Sequence, residues 1–70
     1  MPFQKLVNKI FAIAQQVEER GGINDAANLR RGAKIFELKH DLTMLQRCLT
    51  TAKSRLAVIT KKNENHSTTR

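Results

Sequence analysis

The residues best suited to binding chemistry are seven lysines and arginines in the second half of this 70-residue chain. At helical spacing they fall on one side of a predicted helix, where Asp41 is the only acidic neighbour. Such a row of cations can neutralise the phosphates of RNA or DNA, and this kind of binding weakens steeply as salt rises. An acidic protein surface would be an equally suitable partner. We call these residues the basic row: Lys34, Lys39, Arg47, Lys53, Arg55, Lys61 and Lys62.

The overall charge agrees with an anionic partner but does not specify its class. Thirteen Lys and Arg residues against six Asp and Glu residues give a formal net charge of +7. A simpler interpretation of the basic row is a solvated face that keeps a small protein from aggregating. The chain has three Phe and no Trp or Tyr, and no Phe falls on the side of the helix that carries the basic row. Base-specific recognition by stacking is therefore not expected.

Catalytic or metal chemistry would have to be built from Cys48, His40 and His66. Neither histidine has a cysteine or carboxylate at metal-ligand spacing, and the sequence carries no nucleophile motif or phosphate-binding loop. We therefore predict a non-enzymatic protein without a metal or cofactor. Cys48 is the single cysteine, so it cannot form an intrachain disulfide and is best read as a small apolar space-filler. An unpaired thiol suits a reducing compartment, which predicts a cytoplasmic protein.

A first helix is predicted over residues 3–19, because apolar side chains repeat there at alternating three- and four-residue steps. Gly21 and Gly22 end it, since glycine readily adopts the left-handed conformation favoured just past a helix end. Asn24 or Asp25 can then accept a hydrogen bond from the first turn of a second helix and so start it. The apolar face of the first helix consists of Phe3, Leu6, Ile10, Ile13 and Val17.

A second, much longer helix is predicted over residues 25–60, where an unbroken three-four spacing of apolar residues runs for nearly four heptads. Gly32 is its weak point, because glycine inside a helix costs about 1 kcal/mol relative to alanine. Residues 63–70 contain no apolar side chain and are predicted to form a flexible polar tail. The heptad positions are Ile35, Leu38, Leu42, Leu45, Leu49, Ala52, Leu56 and Ile59.

The predicted fold is an all-α, two-helix antiparallel hairpin over residues 1–62, completed by oligomerisation or by a partner. At 1.5 Å per residue the first helix spans roughly 26 Å and the second roughly 54 Å. The first helix then covers the second only to about residue 42, and the remaining apolar residues form an exposed seam of the kind that marks an interaction surface. The alternative is that the second helix breaks and folds back on its own chain. The predicted interface, the apolar seam, is Leu42, Leu45, Leu49, Ala52, Leu56 and Ile59.

The charges beside the apolar seam bear on which partner covers it. A second copy in parallel orientation would bring Lys34 against Lys39, whereas an antiparallel copy places Asp41 near Lys62. An acidic hetero-partner is the other possibility. A membrane surface is not expected to be the partner. The first helix carries Lys5 and Lys9 beside its apolar face, but such faces more often belong to a protein core.

The sequence thus predicts a small protein–protein interaction module or accessory regulator that docks through the apolar seam, with the basic row guiding an acidic partner. The alternative is sequence-nonspecific binding of the RNA or DNA backbone by the basic rows of a dimeric hairpin.

Overall fold

Three helices form the described part of the chain: α1 (Pro2–Glu19), α2 (Ile23–Leu38) and α3 (Leu42–Thr68). In this computed structural model the backbone is described for residues 2–68 and the side chains for residues 3–62. Each helix packs against the other two. The predicted all-helical class is confirmed. The two-helix hairpin is wrong in its connectivity, because the chain folds back a second time and packs as three helices.

The first connection is the predicted glycine turn. The N–H of Gly22 donates to the carbonyl of Val17 (2.9 Å) and the N–H of Gly21 donates to that of Glu18 (3.0 Å), while Gly21 has a φ of +99°. This pair of bonds around a left-handed residue is the Schellman motif, which satisfies carbonyls left over at a helix end. Gly22 is also the N-cap of α2, and no side chain caps this helix. The capping role predicted for Asn24 or Asp25 is therefore wrong, and Asp25 instead lies in the first turn.

The second connection, residues 39–41, interrupts the helix predicted over residues 25–60. The N–H of Asp41 donates to the carbonyl of Phe36 (3.0 Å) and that of His40 donates to Glu37 (3.1 Å). His40 has a φ of +55°, so this is again a Schellman motif, here with a histidine in the left-handed position. The Asp41 carboxylate then accepts a hydrogen bond from the N–H of Met44 (3.1 Å) and caps α3. The helix passes unbroken through Gly32, the predicted weak point.

The register of α2 differs from the heptad pattern read from the sequence. Ile35 and Leu38, predicted to continue the apolar face, are 41% and 80% exposed. The break at residues 39–41 explains this, because it uncouples the orientation of α2 from that of α3. The residues that α2 buries instead are Ala26, Leu29 and Ala33, with Phe36 packed partly against them.

The core lies where all three helices meet. Ile10, Val17 and Leu45 are its largest fully buried side chains. Four of the nine core residues are alanines, and small residues let helix axes approach closely. Among the side chains that the structure describes, the core consists of Val7, Ile10, Ala14, Val17, Ala26, Leu29, Ala33, Leu45 and Ala52.

The helices run up, down and up again. The Phe3 ring, at the start of α1, lies edge-on to the His40 ring of the second connection, with centroids 5.4 Å apart. At the opposite end, a Cβ placed on Gly22 would lie 3.1 Å from Cδ1 of Ile59. The residues of α3 that follow Ile59 therefore extend past the first connection. The predicted flexible tail, residues 63–70, falls outside the described side chains and stays a prediction, although the α3 backbone continues to Thr68.

Candidate functional site

An open groove of about 810 Å³ runs between α2 and α3, and every residue that lines it comes from these two helices. Its floor is apolar and partly buried, whereas its rim is exposed and polar. The floor consists of Leu29, Gly32, Phe36, Met44 and Cys48.

Gly32 keeps the middle of the groove open. A Cβ at this position would lie 3.6 Å from Cys48 Sγ and 3.8 Å from Phe36 Cε2, which is ordinary van der Waals contact. The missing side chain is therefore not required by a clash with α3. Its effect is to leave space above the floor between the two helices.

Cys48 is a structural residue of the groove floor. Its Sγ lies 3.8 Å from the carbonyl oxygen of Leu29, to which the thiol can donate a weak hydrogen bond across the two helices. Burial raises the pKa of the Cys48 thiol, so the nucleophilic thiolate is scarce near neutral pH. This environment agrees with the predicted space-filling role.

The basic row does not follow a single helix, because the break at residues 39–41 separates its first members from α3. Arg47 and Arg55 lie on the groove rim, together with Asp25 and three threonines of α3, Thr43, Thr50 and Thr51. All seven side chains are exposed. The five that lie outside the groove are Lys34, Lys39, Lys53, Lys61 and Lys62.

The apolar seam is covered by the protein's own chain. Leu45 and Ala52 are fully buried, and Leu49, Leu56 and Ile59 are half-buried against the core. Leu42 is the exception, at 38% exposure. The predicted exposed seam is therefore wrong: residues 42–59 are as long as α1, which has 18 residues, so α1 and α2 can cover the whole segment. An antiparallel dimer through residues 42–59 would require the core to open.

The groove was missed by reasoning from the sequence because its residues come from two helices that were predicted to be one. Phe36 and Met44 fall outside the apolar heptad positions of that single predicted helix. The signal that could have located the groove is the alternative apolar register of α2, Ala26, Leu29, Ala33 and Phe36, which is incompatible with Ile35 and Leu38 facing the core.

Other kinds of site find little support in the described region. Among the residues with described side chains, no three His, Cys, Asp or Glu residues come together as metal ligands. Within the same region, no helix combines the length and apolarity that crossing a bilayer requires. His66 lies outside the described side chains.

Comparisons with known proteins assign no family to the chain. No protein-family model matches it, and neither a curated protein nor a solved structure is significantly similar to it.

Proposed function

We propose that this protein is a small, non-enzymatic interaction module that binds another protein through the α2–α3 groove. The observation that carries the proposal is the groove itself, an apolar floor of partly buried side chains bounded by exposed arginines. Concave apolar surfaces with a few charged groups at the edge are typical of binding sites. Core residues fill the space between α1 and its neighbours, so the groove is the face of α2 and α3 that a partner can still cover.

The fold supports one mode of binding. Three helices packed in this way leave room beside α2 and α3 for a fourth, which would complete a four-helix bundle. The net charge of +7 would attract an acidic partner and orient it during the encounter. We also expect the protein to act in the cytoplasm, where the Cys48 thiol stays reduced.

Site-specific photo-crosslinking in cells that naturally express the protein tests this function. A photoreactive residue replaces Thr51 on the groove rim or, as a control, Ala12, which is exposed on α1. We expect a discrete protein adduct from position 51 and none of the same mass from position 12. Equal adducts from both positions, or no adduct from position 51, would contradict the proposal.

Two substitutions at Gly32 show whether the adduct depends on the groove. Gly32→Leu places additional carbons above the floor and fills the groove, whereas Gly32→Ala adds only a Cβ in ordinary contact with Cys48 and Phe36. We expect Gly32→Leu to abolish the adduct and Gly32→Ala to retain it. Circular dichroism melting of both variants checks whether each is folded. An adduct that persists in Gly32→Leu would place the partner elsewhere.

Nonspecific binding to RNA or DNA is a second candidate, favoured by the charge of +7 and by the exposure of all seven members of the basic row. Its weakness is that these residues are divided between two helices and their connection. Binding of mixed-sequence RNA and duplex DNA, measured over a salt series, tests it. Tight binding with a steep salt slope would make nucleic acid the primary partner, and no binding at low salt would exclude this candidate.

A further inference from the structure

We infer, on the basis of the proposed binding function, that the occupant of the groove is an acidic amphipathic helix belonging to a partner protein. The inference rests on three properties of the groove: its length, the position of its charges and the apolar character of its floor. Together these favour one class of occupant over a second copy of this chain and over a nucleic acid.

The length of the groove matches one face of a short helix. The lining residues extend from Asp25 to Phe36 on α2 and from Thr43 to Arg55 on α3. At 1.5 Å per residue each wall is roughly 17 Å long, or about three helical turns. A helix of this length offers anchors at positions i, i+4, i+7 and i+11 along a single face, which is the usual pattern for a helix in an apolar groove. The opening at Gly32 lets a partner side chain reach the floor at its centre.

The charges on the rim specify an acidic helix. Arg47 and Arg55 lie on the same helix, and their Cα atoms are separated by roughly 12 Å along its axis. Carboxylates two turns apart on the partner would reach both guanidinium groups at once. Arginine pairs well with carboxylates because its planar donors match both oxygens. Asp25 lies at the same end of the groove as Arg55 and is the single acid among the lining residues.

A second copy of this chain fits the groove poorly. In a two-fold dimer the same patch is used by both protomers. Such a dimer would bury two copies of Arg47 and Arg55 with only two copies of Asp25, an excess of positive charge. Two protomers of net charge +7 also repel each other before contact.

A nucleic acid does not use what the groove offers. Its phosphates would meet Arg47 and Arg55 at the rim, but they would gain nothing from the apolar floor and would lose hydration if they entered it. An amphipathic helix satisfies both parts of the surface, because its apolar face covers the floor and its acidic flank reaches the rim.

Titration of the full-length, ¹⁵N-labelled protein with synthetic peptides tests the inference. The first peptide is an amphipathic helix of about 18 residues, with leucines along one face and glutamates on both flanks. The second carries lysines in place of the glutamates, and the third is the acidic peptide with a central proline that prevents helix formation. We expect the acidic helix to bind about tenfold more tightly than the basic one, with amide shift changes at Gly32, Met44 and Cys48. The proline peptide is expected not to bind.

A charge reversal gives the control. In Arg47→Glu/Arg55→Glu, both exposed side chains change sign while the floor stays intact, so we expect the basic peptide to bind more tightly than the acidic one. Equal binding of both peptides to the unmodified protein, or shift changes confined to α1, would overturn the inference. The inference would also be overturned, in favour of a nucleic acid, if mixed-sequence RNA competed for the groove better than the acidic peptide at equal total negative charge.

The two proposals fail in different ways. A groove-dependent protein adduct at position 51 together with failure of the acidic peptide to bind would leave the binding function standing and remove the acidic helix as its occupant. Absence of the adduct from position 51, in protein that carries no other substitution, would remove the binding function itself.

Discussion

The two connections of this bundle have the same hydrogen bonds but very different sequences. After α1, the left-handed residue is Gly21, for which this conformation carries no steric cost. After α2, the same position is occupied by His40, whose Cβ disfavours it. Both turns close with the same pair of backbone bonds, to Val17 and Glu18 in the first and to Phe36 and Glu37 in the second. The comparison shows that a chain can reverse where its left-handed residue is not a glycine, provided that the surrounding contacts specify the reversal.

What specifies the second reversal is the start of the next helix. Asp41 follows the left-handed histidine directly and caps α3 through Met44, whereas no side chain caps α2 after the glycine turn. The first connection therefore depends on glycine, and the second depends on a carboxylate. Four substitutions test this difference, in order of decreasing effect.

The largest effect is expected at Gly22. A Cβ there would lie 2.6 Å from Cγ1 of Val17, 3.1 Å from Ile59 and 3.2 Å from the Val17 carbonyl, and Val17 is fully buried. We expect Gly22→Ala to lower the free energy of unfolding by about 2 kcal/mol, measured by urea denaturation. The control is Gly21→Asn: nothing lies within 4 Å of a Cβ at Gly21, and asparagine tolerates a positive φ. If Gly21→Asn lowered the free energy of unfolding more than Gly22→Ala, the stability of this turn would depend on backbone conformation more than on close packing.

The second effect concerns the cap of α3. Asp41→Ala removes the hydrogen bond from the Met44 N–H, and we expect a loss of about 1 kcal/mol in the free energy of unfolding. Asp41→Asn retains an acceptor oxygen and is the matched control, with a much smaller loss. Equal stability of Asp41→Ala and the unmodified protein would show that the second connection does not depend on this cap.

The third substitution tests Gly32, where the sequence suggested a break in the helix, whereas the structure has the break at residues 39–41. Gly32 lies inside α2, and a Cβ there meets only ordinary contacts. We therefore expect Gly32→Ala to raise the free energy of unfolding by about 0.7 kcal/mol through helix propensity. Destabilisation by this change would indicate that α2 bends at Gly32 in solution.

The smallest effect is expected at His40. Glycine relieves the cost of the left-handed conformation, but it adds chain entropy and removes the edge contact with Phe3. The balance predicts that His40→Gly raises the free energy of unfolding by about 0.5 kcal/mol in the same urea assay. A decrease in the free energy of unfolding would mean that the ring contact with Phe3 stabilises the protein more than the left-handed conformation of His40 destabilises it.

The differences between the two connections explain how much of the fold could be predicted from the sequence. The extent of α1 and its end at Gly21 and Gly22 are confirmed, because both depend on local signals: an apolar repeat and a glycine pair. The second break was missed because the apolar spacing from Leu38 to Leu42 happens to continue a heptad across it. The cap residue Asp41 was visible in the sequence, but it was interpreted as a charge beside the seam.

The candidate site was harder to predict from the sequence than the fold. Arg47 and Arg55 were among the predicted contacts, yet nothing in the heptad pattern separates them from Lys53 or Lys61. Their placement on the groove depends on how α3 is rotated against α2, which is set by packing in the core that all three helices share. The buried seam follows from the same packing and from the 18-residue length of α1, which matches that of residues 42–59.

The chain folds back at His40, so that α3 is covered by α1 and α2 of the same chain. Nuclear Overhauser effects between Gly22 and the Ile59 methyl groups test this most directly, in a mixed sample of labelled and unlabelled protein that separates contacts within one chain from contacts between chains. In an unbroken second helix these residues would be roughly 55 Å apart, because 37 steps of 1.5 Å separate them. We expect a strong Overhauser effect within a single chain of 8.0 kDa at high dilution. Absence of the effect, or its appearance only between chains, would contradict it.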